Sequence, residues 1–192
     1  MARRVGAGHG CRHEEVPLEI RQAREADLDA VLAVERAAFG TDEEAELVRE
    51  LLGDPTAHPL ISLLAFEGAG AVGHILLTRA RLVGAAQAML LAPVAVVPGH
   101  QKRGIGGALI EEALRLAGGM GVGLVFVLGH PTYYPRHGFE PAGRLGLETT
   151  FPIPEKNADA WMVQALVPGL LGSIRGRVAC ADVLNKPEYW RE

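Results

Sequence analysis

The chain has 192 residues, with 19 Lys and Arg against 23 Asp and Glu and a formal net charge of −4. That length suits one domain with extensions, and 48% hydrophobic against 22% charged residues is too apolar for a disordered chain. Mild acidity and only 5% aromatic residues argue against nucleic-acid binding by bulk charge or base stacking, and no apolar run reaches the ~20 residues of a membrane-spanning helix.

Residues 1–17 are expected to form a disordered leader. Arg3, Arg4 and Arg12 are not followed by the apolar segment of a secretory signal. His9, Cys11 and His13 alternate as soft metal ligands on a strand could, but Gly6, Gly8 and Gly10 loosen the segment and no second ligand pair follows, so no metal is assigned. Cys11 and Cys180 lie near opposite ends, which is no disulfide framework, and a reducing cytoplasm is the expected compartment.

From Leu18 to Val167 strand-like and helix-like segments alternate, predicting one mixed α/β domain over 18–167. Leu18–Arg21 reads as a short strand. Asp27–Phe39 carries apolar residues at near-helical spacing and stops at Gly40. Thr41 and Glu44 make a capping-box pattern for a second helix ending at Leu52, before Gly53 and Pro55. Leu60–Phe66 and Val72–Arg81, joined through Gly68 and Gly70, form a predicted hairpin.

Ala88–Val97 is almost wholly apolar, as a strand covered on both faces should be. Pro93 cannot donate to a ladder, so it predicts a bulge or an unpaired stretch within that strand. Ile105–Ala117 is a helix with a polar stripe at Glu111, Glu112 and Arg115, and Leu124–Leu128 is another buried strand. Ala160–Val167 is a last strand candidate. Residues 168–192 lack periodicity and are expected to pack on the domain or on a partner chain, which leaves a homodimer open.

The chemistry concentrates in residues 94–107. A buried strand ends at Pro98, a basic glycine-rich loop follows, and a helix begins near Gly104. Glycines let several backbone N–H groups converge, the helix N-terminus adds free N–H groups and partial positive charge, and Lys102 and Arg103 add full charges. Those parts make a diphosphate cradle. The dinucleotide fingerprint fails, because Leu109 stands where its third glycine belongs and no acidic residue closes the next strand. The P-loop pattern fails too, for want of Gly-Lys-Ser/Thr.

Gln101-Lys-Arg-Gly104-Ile-Gly106 resembles the Q/R-x-x-G-x-G/A motif of the GNAT superfamily of N-acetyltransferases, and Tyr134-Pro-Arg-His-Gly138-Phe139 is similar to its Y-x-x-x-G-F signature. The Tyr-Tyr-Pro-Arg-His-Gly-Phe form and the tail look most like the bacterial YhbS-type branch. The resemblance spans about Leu18–Val167 and implies a mixed sheet, flanked by helices, whose fourth and fifth strands splay around acetyl-CoA. It implies cofactor contacts at Val94, Ala95 and Val96, the backbone of Val94 and Val96 bonding the pantetheine amides. It likewise implies that amides of Gln101, Lys102, Arg103, Gly104, Ile105, Gly106 and Gly107 hold the diphosphate, and it implies no metal. A backbone N–H of the fourth strand would meet the acetyl carbonyl.

By the same resemblance, the acceptor is a small-molecule or peptide primary amine that attacks the thioester directly in a ternary complex, and Tyr134 is the general acid. Tyr133 is expected to point elsewhere, in a structural role. Some members place a glutamate on the fourth strand, but Met89, Leu90, Leu91 and Ala92 offer no carboxylate, and Val127 replaces a family asparagine. Base candidates are Glu43, Glu44, His74 and His130, with His130 the preferred base or relay because it follows the fifth strand. The missing strand carboxylate leaves a second reading open, a catalytically silent acyl-CoA-binding regulatory or interaction domain.

Overall fold

The computed structural model describes residues 17–82 and 87–190. His9, Cys11 and His13 lie outside these residues, as does the rest of the leader up to residue 16. The elements run β1 (Leu18–Gln22), α1 (Leu28–Phe39), α2 (Glu43–Gly53), β2 (Ile61–Glu67), β3 (Gly70–Leu82), β4 (Ala88–Val96), α3 (Ile105–Gly119) and β5 (Leu124–Leu128). Short strands β6 (Glu140–Pro141) and β7 (Leu147–Glu148) follow, then β8 (Trp161–Ala165) and β9 (Gly176–Ala179). Each helix and strand predicted up to Leu128 is present, with ends shifted by a few residues at most. No helix among the described residues is long and apolar enough to cross a membrane.

The central sheet has the order β1-β2-β3-β4-β5-β8-β6. All its neighbours pair antiparallel except β4 and β5, which are parallel, the two being joined through α3. Side-chain alternation gives the sheet two apolar faces. Leu64, Leu76, Leu90, Phe126 and Val163 face α1, α2 and the C-terminal segment, where Val31, Val34, Val48, Leu51 and Trp190 meet them. Leu63, Ile75, Leu77, Leu91 and Val125 face α3, where Ile105, Leu109, Ile110, Ala113 and Ala117 meet them. The sheet is therefore a wall between two cores.

Pro93 marks the bulge that its chemistry predicts. Ile75 pairs with Val94 and Leu77 with Leu91, so Leu76 stands opposite two residues, Ala92 and Pro93. The extra residue shifts the alternation, and Leu90 and Ala95 share one face while Leu91 and Val94 share the other. Pairing of β4 with β5 ends at Leu91 and Val127, although β4 runs on to Val96. Beyond that point the two parallel strands separate, and β5 gives way to a chain whose Gly129 N–H donates to Ala160 C=O at 2.9 Å.

After Pro168 the chain returns to the domain. Val178 and Ala179 of β9 pair with Leu82 and Arg81 of β3, and β9 also pairs with β7. The backbone N–H of Val183 donates to Asp54 Oδ2 at 3.1 Å and that of Asp182 to Thr56 Oγ1 at 2.8 Å, fastening the segment beside the end of α2. Trp190 ends the described chain in the core, its ring edge-on to Trp161 at 5.8 Å and its indole N–H donating to Leu184 C=O at 3.0 Å.

Candidate active site

A cleft of about 1030 Å³ opens where β4 and β5 part. Val97 N–H donates to Val72 C=O of the β3 side at 3.0 Å. Backbone groups of a strand alternate in direction, so those of Val96 and Val94 face the other way, into the gap. The Gln101 side-chain amide donates to Val96 C=O at 3.0 Å and ties the following loop to this edge.

That loop is held in an uncommon shape. Lys102 takes φ +61°, a left-handed conformation that costs a side-chain-bearing residue free energy, and Gly104 takes φ +85° at the N-cap of α3. Glu67 at the end of β2 anchors the turn, with Oε1 2.9 Å from Arg103 Nη2 and Oε2 3.4 Å from His100 Nε2. Arg103's side chain is thus paired with Glu67 across the turn. The first backward bond of α3 runs from Ala108 N–H to Gly104 C=O at 3.0 Å, which leaves the N–H groups of Ile105, Gly106 and Gly107 outside the helical ladder. Gly106 is a close-approach position: a Cβ there would stand 2.7 Å from the Tyr133 hydroxyl oxygen. The concave backbone, the exposed end of the helix dipole and the open gap beside it fit the diphosphate and amide-bearing arm of an acyl-CoA.

Of the site residues predicted from the sequence, Val94, Val96, Gln101, Lys102, Gly106, His130 and Tyr134 line this cleft. Ala95 and Ile105 do not: their side chains are buried in opposite cores, at 2% exposure each. Gly104 shapes the loop, and Gly107 lies under the His137 ring. Tyr134 is 7% exposed, packed edge-on against Phe139 at 5.7 Å and against Tyr133 at 5.2 Å.

The base candidates separate. Glu43, Glu44 and His130 line the cleft, and Glu44 accepts a hydrogen bond from the Thr41 hydroxyl at 2.6 Å. His74 does not. Its Nδ1 lies 2.5 Å from Glu35 Oε1 and its Nε2 is hydrogen-bonded to Ser62 Oγ at 2.9 Å, with His74 and Glu35 both fully buried between α1 and the sheet. Burial raises the Glu35 pKa, opposed by the hydrogen bond to His74.

Sequence reasoning missed part of the wall. Phe39 and Leu47 come from α1 and α2, and Leu184, Glu188, Tyr189 and Trp190 from the C-terminal segment. Tyr133 lines the cleft too, against the expectation that it points elsewhere. No local pattern in the sequence points to these residues; the structure brings all three tyrosines of the chain, Tyr133, Tyr134 and Tyr189, to the cleft.

Known proteins resemble this chain in sequence and in fold. The family model Acetyltransferase (GNAT) domain matches residues 19–142. The uncharacterized N-acetyltransferase YjhQ of Escherichia coli (strain K12) is 47% identical over 161 residues, 82% of this chain and 88% of the relative. The uncharacterized N-acetyltransferase YhbS of the same strain is 29% identical over 162 residues, 83% of this chain and 94% of the relative. The crystal structure of Escherichia coli YhbS in complex with CoA matches with a TM-score of 0.81 at 27% identity, covering 89% of this chain and 93% of that one. A GNAT family acetyltransferase from Brucella melitensis in complex with acetyl-CoA matches with a TM-score of 0.70 at 28% identity, covering 88% of this chain and 99% of that one. With its split sheet, its glycine-rich turn and these relatives, the chain belongs to the GNAT family of N-acetyltransferases, in the YhbS-like branch.

Proposed function

We propose that the chain moves an acetyl group from acetyl-CoA to the primary amine of a small molecule or peptide, by direct attack within a ternary complex. The observation that carries this reading is the cleft at the parting of β4 and β5, which has the α3 N-terminus at one end and reaches α1, α2 and the C-terminal segment at the other. Acetyl-CoA supplies the activated thioester. Main-chain groups of Val94 and Val96 hold its pantetheine arm, and the N–H groups from Gln101 to Gly107 hold its diphosphate.

The amine enters from the opposite face of the sheet, between Phe39 and Tyr189. Glu43, Glu44 and Glu188 on that wall favour an acceptor that carries positive charge. His130, at the cleft beyond β5, takes up the proton the amine must lose. Tyr134 donates a proton to the departing sulfur. A phenol near pKa 10 gives its proton to a thiolate near 8.5 at a cost of about 2 kcal/mol, so the gain depends on the ring being held in place. Phe139, Tyr133 and the close backbone of Gly129 hold it.

Thiol release from acetyl-CoA, measured against a panel of amines, tests the reading. Release with at least one amine is expected, and Tyr134→Phe should lower kcat roughly ten- to a thousandfold with little change in acetyl-CoA affinity. Tight CoA binding without release for any amine would identify instead a catalytically silent acyl-CoA-binding domain, the reading that the apolar, carboxylate-free Met89–Ala92 stretch of β4 favours.

A further inference from the structure

We propose that the Tyr133 hydroxyl is a hydrogen-bond donor to the diphosphate of the bound acyl-CoA, and that Gly106 lacks a side chain in order to admit it. The assignment rests on the acetyl-CoA reading above. Three observations place this hydroxyl at the cradle rather than in a packing role. Its oxygen lies 2.7 Å from the point where a Gly106 Cβ would stand, whereas the nearest ring carbon, Cζ, lies 3.9 Å from that point. The hydroxyl is therefore the part of the side chain that reaches the first turn of α3. Beside it Val96 Cγ2 stands 3.7 Å from the same point, so the hydroxyl sits where a β4 side chain meets the first turn of α3.

The ring is also fixed in advance. Tyr134 meets it edge-on at 5.2 Å, His137 meets it tilted at 5.4 Å, and the Arg136 guanidinium lies 5.0 Å from its centroid. Its own backbone N–H donates to His130 C=O at 3.0 Å. A side chain clamped in this way loses little freedom when it binds. Burial raises the Tyr133 pKa, which keeps the proton on the oxygen and the hydroxyl a donor at neutral pH. An O–H group beside converging N–H groups adds one more donor to an anion, and bonds to charged groups are the strong ones.

Calorimetric titration of the full chain with CoA and with pantetheine, which lacks the diphosphate, tests this. Tyr133→Phe should weaken CoA binding about tenfold or more and leave pantetheine binding within about twofold. Unchanged CoA affinity overturns the proposal, and so does an equal loss for both ligands, which would make the residue a packing element. A second pair of variants tests the geometry without any ligand. Gly106→Ala should lower the thermal midpoint when Tyr133 is present and cost much less in the Gly106→Ala/Tyr133→Phe double variant, because the 2.7 Å contact becomes one of 3.9 Å. An equal loss in both backgrounds would show that the hydroxyl does not stand over Gly106. Failure of the wild-type chain to bind CoA at all would overturn the acetyl-CoA reading itself, and the assignment with it.

Discussion

Glu35 carries a carboxyl group into a fully buried position, where one oxygen meets His74 and the other, Oε2, has no hydrogen-bond partner among the described residues. Desolvation raises its pKa above the ordinary 4.5, and the nearby Glu44 charge pushes in the same direction. An acid whose folded pKa exceeds its unfolded value binds its proton more tightly in the native state. The stability it contributes is complete below about pH 4.5 and is lost as the pH rises through the elevated folded value. Glu35→Gln removes the ionisation while keeping a group that can bond to His74. Thermal melts between pH 4 and about pH 7 should show the wild-type midpoint declining relative to that of the variant. Parallel curves would mean that the carboxyl does not carry this titration. His74 illustrates what a side chain looks like before its neighbours are known. On a strand next to β4 it reads as a candidate base, yet its partners stand 39 and 12 positions away in the chain and draw it into the core.

At the scale of elements, the position of α3 governs the cradle, because the helix presents its N-terminal N–H groups to the cleft only if it lies flat on the sheet. Gly73 of β3 makes this possible. A Cβ there would stand 3.0 Å from Leu109 Cδ1, 3.1 Å from Ile105 Cγ2 and 3.2 Å from Ala95 C=O. Two of these neighbours belong to the first turns of α3, and the third is backbone that cannot move aside. Gly73→Ala should therefore destabilise the fold by about 1–3 kcal/mol in urea unfolding and weaken CoA binding by lifting the helix end. A variant with wild-type stability and affinity would show that the contact is slack. Much at this scale was legible beforehand. The strand, bend and helix of residues 88–119 are contiguous, and Pro93 in an apolar run announces the bulge through its missing N–H. The two-residue strands β6 and β7 were not legible, because segments so short take their conformation from the neighbours they pair with.

Across the whole molecule, the C-terminal segment completes both the core and the cleft. Trp190 is 2% exposed, packs on Trp161, which in turn stacks on Phe126 at 5.2 Å, and also contributes to the cleft wall. Trp190→Ala should cost about 3–5 kcal/mol of stability. In whatever chain remains folded at low temperature, the KM for the amine should rise while CoA affinity holds. Loss of CoA affinity alone would place the segment on the wrong side of the cleft.

Residues 94–107 could be read as an anion cradle because a strand end, a turn and a helix start are local events, governed by the conformations and free N–H groups of neighbouring residues. Binding of that kind depends on backbone, and backbone shape over a dozen residues is written in glycine, proline and apolar spacing. The opposite wall of the cleft, with Phe39, Glu44 and Tyr189, joins residues up to 150 positions apart, and no local rule connects them. Burial of Trp190 against Trp161, pairing of β9 with β3 and the hydrogen bonds of Val183 to Asp54 and of Asp182 to Thr56 bring that wall together. The same holds for the direction of the Tyr133 ring, which depends on the packing of three neighbours and on the space that Gly106 leaves.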